Sequence, residues 1–167
     1  RGLGDVYKRH VIPFFSSFKE GQELPITDER MTRFMITLEE GVKLVWRAFE
    51  DMEGGEIYVK KIPSMKVSDL ATAVAPNCSQ KIVGIRPGEK IHEQMIGVED
   101  ALSTYSYEGY YKILPVINDW SVDPERIKDG KKVPDDFTYD SSNNEDWMTI
   151  EDLKTWLHKN KDKIGNI

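Results

Sequence analysis

Apolar residues recur along this chain with two periods, and the changes of period divide it into elements. Val11 to Phe18 is apolar and reads as a short helix behind Pro13, and Gly21 to Pro25 reads as a turn. Ile26 to Ile36 mixes polar and apolar residues around Arg30 and Arg33. Thr37-Leu38-Glu39-Glu40 has the form of a capping box, and Leu38, Val42, Val45, Phe49 and Met52 follow at helical spacing until Gly54-Gly55 stops them. Glu56 to Val59 predicts a strand. Ser68 is the expected cap of a helix through Leu70, Ala71 and Val74 that ends at Pro76-Asn77, and Lys81 to Ile85 predicts the next strand. This strand–helix–strand run predicts a small parallel βαβ unit with Arg86 at the carboxyl end of its second strand, the end at which open α/β sheets bind ligands. His92 to Ala101 reads as helical. Tyr105, Tyr107, Tyr110 and Tyr111 lead into a strand ending near Ile117, and Asn118 to Asn144, rich in Pro, Gly and Asp, reads as a long loop. Thr149 caps a final helix with Ile150, Leu153, Trp156 and Leu157 on one face. The expected division is therefore an α/β region over 1–117, a long loop over 118–147 and a C-terminal helix over 148–167.

Composition narrows the function classes. At 167 residues the chain suits one domain or a domain with a tail, and 31% charged residues fit a water-facing protein. A net charge of −6 argues against wholesale nucleic-acid binding, and no apolar run is long enough to span a bilayer. The single Cys78 excludes an internal disulfide framework, in keeping with a cytoplasmic location, and it has no activating neighbour. His10, His92 and His158 are scattered, so no metal site is expected. No Gly-x-Gly-x-x-Gly, no phosphate-binding Gly-x-x-x-x-Gly-Lys-Ser/Thr and no Tyr-x-x-x-Lys pair occurs. The chain thus carries no recognisable cofactor cradle and no catalytic residue of its own, and reads as a portion of a larger enzyme.

The candidate chemistry lies in Arg86-Pro87-Gly88-Glu89, directly after an apolar run. A proline–glycine turn carrying a cation and a carboxylate three residues apart suits a ligand with phosphates and a sugar diol. The plainer reading is an exposed turn with an ion pair worth about 0–1 kcal/mol. Arg33 lies in a second basic segment just before a helix start that favours anions, which speaks for a ligand role over the plainer reading of a helix cap or a pair with Asp28 or Glu29. Arg30 is assigned a surface role and His92 a packed or surface position. Glu93 is taken to support Arg86 or the next helix. The tyrosines at 105–111 and Trp46, Trp147 and Trp156 are read as core, and Arg1, Lys8 and Arg9 as solvated charges.

Several segments together resemble the C-terminal half of the inverting UDP-N-acetylglucosamine 4,6-dehydratases, extended short-chain dehydrogenase/reductases of polysaccharide biosynthesis. They are Pro25 to Asp28 with Arg30 to Leu38, Gly54 to Val59, Lys61 to Met65, Arg86 to Glu93, and Ser141 to Asn144 with Trp147. Pro87 and His92 separate this group from the 5-epimerising sister enzymes, which tend to carry His and Tyr there. The resemblance implies the substrate-binding portion of such a fold, a small parallel βαβ unit with additional helices. It implies a separate N-terminal Rossmann domain that binds NADP and holds the hydride-transfer and acid–base residues. It further implies a UDP-N-acetylglucosamine substrate, a 4-keto-6-deoxy product feeding pseudaminic acid or related surface glycans, and a homo-oligomer. Arg33 and Arg86 would contact the diphosphate, and Glu89 the uridine ribose. Asp5 departs from the family's usual entry segment, putting any diphosphate contact there in doubt. The alternatives are a 5- or 4-epimerising relative and a non-catalytic nucleotide-sugar-binding module.

Overall fold

The computed structural model describes residues 11–161, and the expectations for Arg1, Asp5, Lys8, Arg9 and the rest of 1–10 lie outside them. The chain forms, in order, α1 (Val11–Ser16), β1 (Glu23–Ile26), β2 (Thr32–Phe34), α2 (Leu38–Asp51), β3 (Ile57–Lys60), β4 (Ser64–Lys66), α3 (Val67–Val74) and β5 (Ser79–Ile82). Then come β6 (Gln94–Ile96), α4 (Val98–Ala101), β7 (Thr104–Tyr107), β8 (Tyr110–Ile113), a 3-10 turn (Ile117–Val122), α5 (Pro124–Ile127), β9 (Lys131–Lys132), β10 (Tyr139–Asp140) and α6 (Ile150–Lys159). The described residues form two compact units. The first gathers the residues up to Arg33, Ser64–His92 and those from Trp147 on; the second gathers Phe34–Pro63 and Glu93–Asp146.

In the first unit β1 and β5 run parallel, with Glu23 opposite Ser79 and Ile26 opposite Ile82. A parallel pair is present, but its first strand is Glu23–Ile26; Glu56–Val59, expected in that place, pairs antiparallel elsewhere. Helix α3 packs against α1, α6 and β1; its Leu70 and Ala71 are buried, as are Phe15, Leu24, Ile26, Leu153 and Leu157. Its N-cap is Lys66, without a side-chain bond; Ser68 lies inside the first turn, where its carbonyl accepts from Thr72 Oγ1 and Gln80 Nε2. The capping box of α6 is present as expected, Thr149 with Asp152. Trp147 is not helical: it forms a parallel bridge to Ser64 and stays partly exposed.

In the second unit an antiparallel sheet runs in the order β3-β8-β7-β9. The single strand expected through the tyrosines is a hairpin: β7 and β8 pair tightly around Glu108-Gly109, with Gly109 at φ 77°. Tyr105, Tyr107 and Tyr110 are buried with Leu114, as a core role requires. The helix expected over 92–101 is instead β6, paired with β10, followed by the short α4. Tyr139 on β10 both accepts from the Ile62 amide (2.9 Å) and donates to the Ile62 carbonyl (3.0 Å). Within 118–147 the chain is not featureless. Asp123 caps α5, and Arg126 bonds the buried Glu56 carboxylate (2.6 Å) and stacks over Trp120 at 4.2 Å.

Helix α2 starts at the expected capping box, with Thr37 Oγ1 accepting from the Glu40 amide and the Glu40 carboxylate accepting from Thr37. Its orientation is unusual. The inward side carries Leu44, Arg47 and Asp51. The Arg47 guanidinium lies 4.8 Å over the Tyr110 ring. Asp51 receives bonds from Lys112 Nζ (2.6 Å), Lys128 Nζ (2.6 Å) and the Tyr58 hydroxyl (2.8 Å). The Lys112 side chain is 1% exposed and its ammonium sits 4.9 Å from the Tyr107 ring centre. The outward side carries the whole apolar stripe, and no residue of the helix is buried. Trp46, expected in the core, is 65% exposed on that side.

Burial pushes the Asp51 carboxyl up, but the bonds from Lys112, Lys128 and Tyr58 outweigh it and hold the group well below the ordinary carboxylate range. Its contribution to stability is therefore present above the unfolded-state value of about 3.9 and is lost as pH falls below that. Asp51→Ala, which strands a buried ammonium, should cost about 3–5 kcal/mol in urea unfolding at neutral pH. Asp51→Asn should show a smaller stability loss than the wild type between pH 5 and pH 3. Identical acid dependence in the two proteins would contradict this account.

Candidate functional site

Arg86 follows β5 closely. After Ile82 the Val83 amide still donates to Ile26 (2.9 Å), extending the parallel register by one step. Gly84 then takes φ 85° and releases the chain from the sheet. Pro87 and Gly88 occupy the two central positions of a turn closed by the Glu89 amide donating to the Arg86 carbonyl (3.0 Å). Gly88 has φ 84°, the value that the third residue of a type II turn demands and that glycine adopts without strain. The Glu89 carboxylate folds back to accept from the Arg86 amide (3.1 Å), and its other oxygen lies 3.9 Å from the Arg86 guanidinium. The Arg86 side chain is 71% exposed and that of Glu89 31%. Such an exposed pair contributes about 0–1 kcal/mol, so a ligand can displace it at small cost. A carboxylate bonded to one amide retains lone pairs for hydroxyl donors.

Arg33, on β2, lies in the same unit. Its Nη1 donates to the carbonyls of Thr32 (2.6 Å) and Ile91 (3.1 Å), and its Nη2 donates to that of Lys90 (3.0 Å). The Thr32 amide also donates to Ile91 (3.0 Å), and Thr32 Oγ1 lies 2.8 Å from His92 Nδ1. The guanidinium that sequence reasoning offered to a helix cap or to Asp28 therefore grips the backbone directly behind Glu89. Arg30 is the residue bonded to Asp28, through Nε at 2.9 Å and Nη2 at 2.8 Å. The bonds from Arg30 draw the Asp28 carboxyl down to about 2. The structure thus joins Arg33 to the segment that bears Arg86 and Glu89 through main-chain bonds. Thr32 and the carbonyls of Lys90 and Ile91 complete this arrangement and carry no pattern that a sequence reading could use. Glu93 belongs to the second unit, where its amide donates to Ser141 Oγ (2.9 Å).

A family model described as "Polysaccharide biosynthesis protein" matches residues 7–115. The chain belongs to that family. Among individual relatives, an inverting UDP-N-acetylglucosamine 4,6-dehydratase of Campylobacter jejuni serotype O:2 is 54% identical over 151 residues, covering 86% of this chain and 45% of its own. A UDP-glucose 4-epimerase of Rickettsia akari is 34% identical over 154 residues, covering 88% of this chain and 44% of its own. The solved structure "X-ray structure of Pen from Bacillus thuringiensis" superposes with a TM-score of 0.74 at 24% identity, over 92% of this chain and 45% of that one, and shows the fold. The chain spans less than half the length of these relatives, and the match to the dehydratase falls in its C-terminal region.

Removing the Arg33 fork should loosen the segment after the turn. Arg33→Ala is expected to cost about 1.5–3 kcal/mol in thermal or urea unfolding, the scale of hydrogen bonds to a charged group. Arg33→Lys should recover little of that, because an ammonium cannot reproduce the planar fork. Full recovery by lysine would show that charge rather than geometry matters at this position.

Proposed function

We propose that this chain is the nucleotide-sugar-binding portion of an NADP-dependent UDP-N-acetylglucosamine 4,6-dehydratase that inverts C5. The observation that carries the reading is the identity to a dehydratase of that name, 54%, against 34% to a 4-epimerase over nearly the same span. The Arg86–Glu89 turn supports it chemically. Arg86 extends a guanidinium into solvent beside a carboxylate, which suits a diphosphate next to a ribose. In this reading Arg86 binds the diphosphate and Glu89 accepts from the ribose hydroxyls. Arg33 adds its positive charge to the diphosphate end while its bonds to Lys90 and Ile91 fix the turn. The product is a 4-keto-6-deoxy sugar nucleotide for surface glycans of the pseudaminic acid kind, made in the cytoplasm by a homo-oligomer.

The described residues do not suit a dinucleotide cofactor. The strand-to-helix junction at Ser64-Met65-Lys66-Val67 has no glycine to let a pyrophosphate approach the backbone. The reading therefore assigns NADP, with the redox and acid–base groups, to a Rossmann portion of the kind that the resemblance implies, and derives no chemical step from the residues here. Among the described residues no helix is long and apolar enough to cross a membrane.

Calorimetry with UDP tests the grip. Arg86→Ala should weaken binding about 10- to 150-fold, the equivalent of 1.5–3 kcal/mol. Glu89→Gln should weaken it less. Unchanged affinity in Arg86→Ala removes that residue from the site. Incubation of this chain alone with UDP-N-acetylglucosamine and NADP should yield no 4-keto product, and clear turnover would contradict the division of labour.

A further inference from the structure

Helices α3 and α6 pack against each other, and an open groove of about 210 Å³ is lined by both. Ala73 and Val74 of α3 supply one wall. Lys154, Leu157 and His158 of α6 supply the other, with Lys161 just beyond the helix end. The two walls differ in kind. The α3 side is apolar, and Leu157, itself buried, adds to that surface. Lys154, His158 and Lys161 follow one another at four and three residues. At 100° per residue they fall within about 60° of arc and about 10 Å along the axis. Among the described residues that line the groove none carries a carboxylate. Lys154 Nζ is bonded to Glu151 Oε1 at 2.9 Å, but the two side chains are 45% and 80% exposed, and such a pair contributes about 0–1 kcal/mol. An incoming anion displaces it at small cost. On a chain of net charge −6 the groove is a local concentration of positive charge. Cations in the last turn of a helix also complement its carbonyl end. That accounts for His158 but not for Lys154, the fifth of the ten residues of α6.

We propose that this groove is a second anion site, separate from the Arg86–Glu89 turn, and that it takes a small phosphate monoester with an apolar body. The charge sets the head group. Two ammonium groups and an imidazole border one groove, and a phosphate monoester, with nearly two negative charges at neutral pH, matches them better than a singly charged carboxylate does. The α3 wall sets the body. Ala73 and Val74 offer no hydrogen-bonding side chain, so a bare, fully hydrated phosphate gains nothing from them, whereas a carbon body removes their surface from water. The volume sets the size. It lies below the roughly 300–1,000 Å³ of pockets for drug-sized ligands, too small for a whole nucleotide sugar.

Amide-resolved NMR of the full chain, titrated with phenyl phosphate, tests this. The amides of Ala73, Val74 and Leu157 should shift and saturate, with an affinity about 10-fold tighter than that of inorganic phosphate, the scale of burying a small apolar group. Benzoate should bind more weakly than phenyl phosphate. Lys154→Gln/Lys161→Gln should weaken the binding of phenyl phosphate at least about 10-fold, and Lys154→Arg/Lys161→Arg should keep it. Phenyl phosphate that binds no tighter than inorganic phosphate or benzoate would overturn the proposal. So would unchanged affinity in the glutamine variant, or loss in the arginine variant as well. The shifts should persist in Arg86→Ala and in the presence of saturating UDP. Displacement of phenyl phosphate by UDP, or shifts confined to Arg86 and Glu89, would put the probe in the other site and also overturn the proposal. The titration is read at α3 and α6, so it succeeds or fails separately from the UDP calorimetry.

Discussion

One guanidinium fixes the candidate site. Arg33 donates to the carbonyl of the adjacent Thr32 and to those of Lys90 and Ile91, far along the chain, and so anchors the exit of the Arg86–Glu89 turn to β2. The turn contributes few constraints of its own beyond its closing bond and the amide cap from Glu89. With the exit held and the entry leaving the parallel β1–β5 pair, Arg86 and Glu89 emerge from a fixed stretch of backbone. Pre-set geometry matters for a ligand with two recognition points, because each side chain that need not be ordered on binding lowers the cost of association.

The second unit rests on a different kind of constraint. Lys112 lies under the tyrosine layer with its ammonium on Asp51, the Arg126 carbonyl and the ring faces of Tyr58 and Tyr107. This arrangement turns α2 so that its charged side faces the sheet and its apolar side faces away. Periodicity alone assigns such a stripe to a core. Here the stripe faces away from the sheet, and the opposite side of the helix carries Asp51 against Lys112.

What the sequence revealed, and what it concealed, follows from the range of the interactions. The capping boxes at Thr37 and Thr149 and the Pro87-Gly88 turn are local, and each was legible from a few adjacent residues. The hairpin at Glu108-Gly109 was hidden because tyrosines at both odd and even positions blur the two-residue alternation of a strand. The stretch 94–96 reads as helix in the sequence because its pairing partner lies more than forty residues away, at Tyr139–Asp140. Arg86 and Glu89 stood out by residue type beside the Pro-Gly turn. The role of Arg33 on the carbonyls of Lys90 and Ile91 was invisible, because main-chain acceptors leave no mark in a sequence. Relatedness supplied the family.

The most direct measurement is a crystal structure of the chain with UDP bound. The account requires the diphosphate oxygens within about 3 Å of the Arg86 guanidinium and a ribose hydroxyl at a similar distance from the Glu89 carboxylate, with the Arg33 bonds to Lys90 and Ile91 kept. UDP bound on another surface, or bound here with the Arg86 side chain turned away from the phosphates, would contradict it.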